Sequence, residues 1–343
     1  MTLQVDAAVD SLARTAKKEA QDARLESRLS DAHSLLADDL AWVEDSLRKA
    51  GAEGPHPGTT AAQHLIERGG KRLRPMTVLL SARCFGDVPD SARHVATALE
   101  LVHSATLLHD DVIDDGMERR GVPTSRRLWG NAVSILAGDL LLVRALSITQ
   151  THAPAAQSQL ISTLEQLVNG EIVQLRGRSE LDVSEATYDH ILEQKTASLF
   201  RFATRVGSML AGASEHEQSL MEEFGEAVGV SFQLVDDVLD YVGENTGKSL
   251  FADLREGKMT LPLVLALRHR PEGLQWIQAI HEGDETHLDS LQALVLDSGA
   301  CEIVRQKANE QTERAVAALQ KLPQTPARDL LTGVARELTA RTR

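Results

Sequence analysis

Leu107-Leu108-His109-Asp110-Asp111-Val112-Ile113-Asp114-Asp115 carries an apolar helical pattern straight into a cluster of carboxylates. Upstream, Leu99 and Val102 continue the apolar face, and the pattern predicts a long helix over 91–115, bounded by Gly116, Gly121 and Pro123. On that helix Asp110 and Asp114 stand four residues apart and point the same way, an arrangement in which like charges repel and weaken an isolated helix. A lone aspartate pair is most often a solvated face. Here the cluster prolongs an apolar helix, which places it at the mouth of a buried groove. Carboxylate oxygens so placed suit magnesium, which keeps several waters and bridges carboxylates to substrate phosphates.

The spacing returns in Phe232-Gln233-Leu234-Val235-Asp236-Asp237-Val238-Leu239-Asp240, again at the end of a long apolar stretch marked by Leu220, Phe224 and Val228. Gln233, Asp236 and Asp240 fall on one helical face. Two such clusters on separate helices, facing each other, would hold several metal ions around one diphosphate.

Around these segments the chain reads as helix throughout. Leu36, Leu40, Val43 and Leu47 mark a first convincing helix that ends at Gly51, and Gly54-Pro55-His56-Pro57-Gly58 is a loop. A short helix then runs into Gly69-Gly70, and further helices are predicted over 131–152, 155–177, 184–211 and 215–243. A polar segment from Gly243 to Lys258 interrupts the pattern, and Pro262 lies near the start of the next helix, where proline is tolerated. Amphipathic helices follow, with a turn at Pro323–Pro326. There is no strand alternation and no short-period repeat. The expectation is one all-α domain, a single large helical bundle over 31–343, preceded by a charged extension over 1–30 that is frayed or forms a loose extra helix.

Composition agrees: aromatic residues make up 3% of 343 residues and apolar residues 42%, with ten prolines, which favours helix over strand. The net charge of −14 argues against nucleic-acid binding, which needs dense cations. Cys84 and Cys301 are too few for a disulfide framework and fit reduced core residues of a cytoplasmic protein. The N-terminus is charged from Asp6 onward and lacks a signal-length apolar run. No uninterrupted apolar stretch approaches the ~20 residues of a transmembrane segment.

Cations complete the candidate site. Gly69-Gly70-Lys71-Arg72-Leu73-Arg74-Pro75 sets three of them beside a glycine pair and ahead of a helix, whose N-terminus favours anions. Arg119 and Arg120 follow Asp114 closely enough to reach a diphosphate held there. Spacing alone assigns no role to Lys195, Lys248 or Lys258.

In order, the chain shows G-G-K-R-x-R-P, D-D-x-x-D followed by R-R-G, G-E-x-x-Q, K-T, F-Q-x-x-D-D-x-x-D and G-K-x-T-L-P. This series resembles the trans-prenyl diphosphate synthase family over residues 35–343, most of all its long-chain members. The resemblance implies an isoprenoid-synthase bundle around a central cavity, usually a homodimer. It implies condensation of isopentenyl diphosphate with an allylic diphosphate (geranyl, farnesyl or geranylgeranyl), with Mg2+, three ions when substrate is bound. Asp110, Asp111, Asp114, Asp236, Asp237 and Asp240 would then be the metal-binding set. Arg119 would contact the allylic diphosphate. Gly70, Lys71, Arg74, His103 and Arg120 would bind isopentenyl diphosphate. Lys195, Thr196, Gln233 and Lys248 would contact the leaving group and stabilise the forming cation, and Lys258 would bind substrate.

Product length in this family follows the bulk beneath the first cluster. Ala105 and Thr106 lie five and four residues before Asp110, with no aromatic side chain at either position. No two-residue insertion separates Asp111 from Asp114 beyond Val112 and Ile113. Both features resemble long-chain synthases, and the resemblance implies a product of about C30 or more; at ~1.5 Å per residue the two positions lie about one to one and a half turns below Asp110. The rival readings are a short-chain farnesyl or geranylgeranyl synthase, a terpene cyclase, and a non-catalytic subunit of a hetero-oligomeric synthase. The second D-D-x-x-D and the basic pocket argue against the cyclase, and the retained aspartates against the inert subunit. Phe251 departs from the glycine common in this loop of the family.

Overall fold

The structure is a computed structural model that describes residues 23–119, 121–242, 252–268 and 270–340. Helices dominate it. They are α1 (23–35), α2 (Ala37–Ala52), α3 (Gly58–Glu67), α4 (Leu73–Arg83), α5 (Asp90–Ile113), α6 (Ser125–Trp129), α7 (Asn131–His152) and α8 (Gln157–Glu180). Then come α9 (Glu185–Ile191), α10 (Ser198–Leu210), α11 (Glu215–Val242), α12 (Ala252–Arg255), α13 (Leu261–Leu267), α14 (Gly273–His281), α15 (Leu288–Asp297), α16 (Ala300–Gln320) and α17 (Pro326–Ala340).

Three details depart from the periodicity. Helix α1 begins inside the segment read as a loose extension, and Leu25, Leu29 and Ala32 are buried in the core. Their spacing of four and three was present in the sequence, but alternating charges obscured it. The helix expected over 184–211 is divided by a π-helical turn at Leu192–Ala197. A two-residue antiparallel ribbon pairs Glu118 with Pro123 and Arg119 with Val122, too short for any alternation to reveal.

Two apolar clusters fill the bundle. The larger joins α1 to α5, α7, α10, the first half of α11 and α17 through residues such as Leu47, Leu79, Leu99, Leu141, Met221 and Leu331. The smaller joins the second half of α11 to α9 and α13–α16 through Leu234, Val238, Leu263, Ile277 and Val304. Helix α11 therefore belongs to both. It approaches α10 closely because Gly225 and Gly229 carry no side chain. A Cβ at Gly225 would lie 2.5 Å from the Phe200 carbonyl oxygen, and one at Gly229 would lie 2.7 Å from Ala197 Cα. Both aspartate clusters emerge near the C-terminal ends of core helices, α5 and α11, so the packing that buries the helices also fixes where the carboxylates stand.

Among the described residues, α7 is the one helix long and apolar enough to cross a membrane, with a mean hydropathy of 1.7 over a window that is 33% buried. Asp139 and Arg144 interrupt it, and its inner face packs on α5. Leu136 and Val143 remain exposed on its other side, beside Ile161, Val168 and Ile172 of α8.

Candidate active site

At the end of α5 the helix turns Asp110 and Asp111 in different directions, since consecutive helical residues are ~100° apart. Asp110 faces the main cavity, where Lys195 Nζ lies 3.8 Å from its Oδ2. Burial raises the Asp110 carboxyl above its usual value, with Lys195 pulling against it and Glu171 and Asp114 adding to the rise. Asp111 is 4% exposed and turns toward Arg119, whose Nε and Nη2 donate to its Oδ1 at 2.9 and 2.8 Å. Asp114, just past the helix end, accepts from Arg178 Nη2 at 2.6 Å and has Lys258 Nζ at 3.7 Å.

The second cluster is held differently. Asp237 is 2% exposed. It accepts from the Tyr188 hydroxyl at 2.7 Å, from Gln233 Nε2 at 2.8 Å and from the Leu261 backbone N–H at 3.3 Å. Burial pushes its carboxyl up to about 7, with nearby Asp253 adding to the rise, while Gln233 and Tyr188 oppose it. Gln233 is itself oriented by the Thr196 hydroxyl, which donates to its Oε1 at 3.0 Å. Asp240, 8% exposed, lies one turn nearer the C-terminal end of α11 and does not line the main cavity.

Between the clusters lies a cavity of about 240 Å³, walled by Asp110, Lys195, Thr196, Gln233, Asp236, Asp237 and Lys258 together with Gln174, Arg178 and Asp253. Lys195 pairs with Glu171 as well as Asp110. Lys258 pairs with Glu256, with Asp253 at 3.5 Å and with Asp114. Burial alone would lower the Lys258 pKa; Asp253, Glu256 and Asp114 outweigh it and hold the ammonium above its ordinary value. The cavity thus combines hard oxygen donors with fixed cations, the chemistry that binds a metal–diphosphate pair.

The basic loop owes its shape to Arg72, which the sequence reading left without a role. Arg72 adopts the left-handed conformation, φ 48° and ψ 36°, rare for a side chain with a Cβ. Its buried guanidinium donates to Glu44 at 2.5 and 3.1 Å, to Glu100 at 2.8 Å and to the Ile66 carbonyl at 3.1 Å. These bonds tie α2, α5 and the end of α3 to the loop and so set the start of α4. Gly70 and Lys71 are exposed on it. Arg74 lies over the Phe200 ring at 5.7 Å, and burial lowers its pKa, with Glu100 opposing.

The structure thus gathers Asp110, Lys195, Thr196, Gln233, Asp236, Asp237 and Lys258 in one cavity, with Asp114 joined to it through Arg178 and Lys258. Asp111 and Arg119 face a separate small recess with His64 and Thr124. Ala105 is wholly buried in the larger core, and Thr106 donates to the His103 carbonyl at 2.8 Å. Neither lines the main cavity, nor do Lys71, Arg74 and His103. Arg120 and Lys248, and with them Phe251, lie outside the described residues. Glu171, Arg178, Tyr188 and Asp253 were missed. Glu171 sat in the G-E-x-x-Q segment without a role; the others reach the site only through tertiary packing.

Residues 58–297 match the family described as polyprenyl synthetase. Over 315 residues the chain is 36% identical to the octaprenyl diphosphate synthase of Escherichia coli K12, covering 90% of this chain and 97% of that one. A decaprenyl diphosphate synthase from Rhodobacter capsulatus superposes with a TM-score of 0.85 at 36% identity, over 92% of this chain and 99% of that one. A polyprenyl synthase from Caulobacter crescentus, crystallised with calcium and isoprenyl diphosphate, gives a TM-score of 0.83 at 35% identity, over 92% and 98%.

Proposed function

This chain belongs to the polyprenyl synthetase family, and from that premise we propose that it condenses isopentenyl diphosphate with an allylic diphosphate to make a long trans-polyprenyl diphosphate. The observation that carries the reading is the single cavity on which Asp110 of the first cluster and Asp236 of the second both open, with Lys195 and Lys258 between them. Named relatives that make octaprenyl and decaprenyl products support the long chain.

The donor set fits magnesium. Asp110 and Asp236 on the cavity, with Asp114 joined to it through Lys258, offer hard oxygens, the ligand type of a cation that takes few protein carboxylates and completes its shell with water and substrate phosphate. Bound there, magnesium would supply Lewis-acid stabilisation of the departing pyrophosphate. We take the number of ions, three, from the family resemblance.

The chain's own residues do the rest. Lys195 and Lys258 stabilise negative charge on the leaving group in a site fixed before reaction. Thr196 holds Gln233, and Gln233 holds Asp237, so the wall facing the allylic carbon stays in register. The loop shaped by Arg72 offers Lys71 and Arg74 to isopentenyl diphosphate, whose double bond attacks the allylic cation once aligned. Ile191, Leu192 and Met259 supply the apolar part of the lining, which limits the water that would quench the cation.

We also assign a homodimer. Leu136 and Val143 of α7 and Ile161, Val168 and Ile172 of α8 are each 52–63% exposed. An apolar face of this kind on two long helices suits a self-complementary interface with a second copy. The two buried free thiols, Cys84 and Cys301, suit work in the cytoplasm.

The test is product analysis from farnesyl diphosphate and isopentenyl diphosphate using the purified chain, with and without magnesium. The reading expects products of about C30 or longer that vanish when metal is chelated. A pure C15 or C20 product would sink the long-chain assignment, and inactivity of the isolated chain would sink the assignment as a complete synthase.

A further inference from the structure

Helix α8 forms a third wall of the cavity that neither aspartate cluster predicts. Glu171, Gln174 and Arg178 lie three and four residues apart along it, which is one helical face. Gln174 and Arg178 line the cavity, and Glu171 reaches it through its ion pair with Lys195. Arg178 is the least explained of the three. It stands in the last turn of α8, where a cation also meets the negative end of the helix dipole. Its side chain is 14% exposed. The stem is confined by Gly257, where an added Cβ would lie 3.3 Å from Arg178 Cγ and 3.4 Å from Cδ.

The guanidinium is only partly used. One nitrogen, Nη2, donates to Asp114 Oδ1 at 2.6 Å, while Nε is buried and makes no hydrogen bond. A buried donor left unsatisfied is costly, and a ligand with an acceptor oxygen at this position would remove that cost. Asp114 has a second cation in Lys258, so Arg178 is not needed merely to neutralise it. An arginine fork matches phosphate oxygens in pairs, and this one borders the same cavity as Lys195 and Lys258.

We propose that Arg178 is a substrate-binding residue that pairs with Asp114 and, once Asp114 is engaged by a divalent cation, turns its freed guanidinium to the diphosphate of the allylic substrate. The inference rests on the reading of the cavity as a metal–diphosphate site. It makes the first cluster exchange its partners on binding: Asp114 passes from arginine to metal, and the arginine passes from carboxylate to phosphate. Each charged group keeps an oppositely charged partner throughout.

The test is calorimetric titration of inorganic pyrophosphate into the protein at saturating magnesium, for wild type, Arg178→Gln and Arg178→Lys. Loss of one charge-assisted contact should weaken pyrophosphate binding about ten- to a hundredfold in Arg178→Gln, with Arg178→Lys in between. The KM for the allylic substrate should rise with it, while the KM for isopentenyl diphosphate stays within about twofold. Manganese alone, followed by its electron paramagnetic resonance signal, should bind Arg178→Gln at least as tightly as wild type, because a competing cation has been removed. Weaker manganese binding would show that Arg178 only positions Asp114, and would overturn the proposal. So would unchanged pyrophosphate affinity alongside a lowered thermal midpoint, the mark of a purely structural arginine. Should Arg178→Gln fail to fold, the Arg178→Lys affinity decides alone, and a wild-type value refutes the contact. Wild-type protein that ignores pyrophosphate at saturating magnesium would instead sink the diphosphate-site reading, and this inference with it.

Discussion

The two aspartate clusters share one spacing and live in different surroundings. In the first, at the end of α5, the carboxylates are met by cations: Lys195 at Asp110, Arg119 at Asp111, and Arg178 with Lys258 at Asp114. In the second, inside α11, Asp237 is met by neutral donors, the Tyr188 hydroxyl, the Gln233 amide and the Leu261 backbone. Side-chain cations are exchangeable partners for a carboxylate, because a metal ion can replace them in kind. Neutral donors from three elements are not, since each would be left buried and unsatisfied. Identical motifs therefore stand in different surroundings: the partners of the first cluster are of the kind a metal ion replaces, as the proposed exchange requires, and the middle aspartate of the second is held by three neutral donors.

The floors beneath them differ as well. Five and four residues before Asp110 stand Ala105 and Thr106, whereas the same positions before Asp236 hold Ser231 and Phe232. Phe232 packs against Phe200 with ring centroids 5.9 Å apart. An aromatic side chain thus stands one turn before the second cluster, and smaller side chains stand at the matching positions before the first.

The harshest way to test this contrast is Asp110→Ala. It should cut the condensation rate by roughly a thousandfold or more, as loss of a metal-binding charge does, while circular dichroism and thermal midpoint stay near wild type. Comparable activity would break the assignment of Asp110 to the exchanging cluster. Asp237→Ala should behave in the opposite sense, lowering the unfolding free energy by about 2–4 kcal/mol because three donors lose their acceptor. If urea unfolding of that variant matched wild type, the anchoring role would be wrong.

Ala105→Phe probes the floor. We expect a shorter product, together with a stability loss of about 1–3 kcal/mol from overpacking a wholly buried position. An unchanged product distribution would mean that Ala105 does not face the growing chain. The smallest effect belongs to the far end of α5, where it separates acid sensitivity of the helix from that of its cluster. His94 stacks on His152 with centroids 3.6 Å apart. Burial lowers its pKa, with His152 adding to the drop and Asp90 opposing. The unfolded chain therefore takes up this proton first, and stability falls as pH drops below about 6.5 toward the lower folded value. Urea midpoints at about pH 7.5 and 5.5 should differ less in His94→Phe than in wild type; an equal difference would place the acid sensitivity elsewhere.

Much of this was legible beforehand. Leu36, Leu40, Val43 and Leu47 marked α2, and the spacing of Asp110 with Asp114 and of Gln233 with Asp236 named the helices that carry the site. These are local patterns, and helical periodicity reports them directly. The π-helical turn at Leu192–Ala197 was not legible, because it is a single-residue change in hydrogen-bond register that leaves the apolar pattern almost unaltered. Arg72 was read as one of three loop cations, and its burial between Glu44 and Glu100 followed only from the packing of α2 against α5.

By itself the sequence determined that the chain is helical, that two carboxylate clusters end two apolar helices, and that cations follow or precede them in the chain. Residue type and spacing are enough for that, since helix formation and side-chain direction are set within a turn or two. Only the tertiary structure decided which aspartates are met by cations and which by neutral donors. It also brought Arg178 to Asp114 across 64 residues of chain. Those outcomes depend on which groups are buried together, and burial is a property of the packed bundle rather than of any stretch within it.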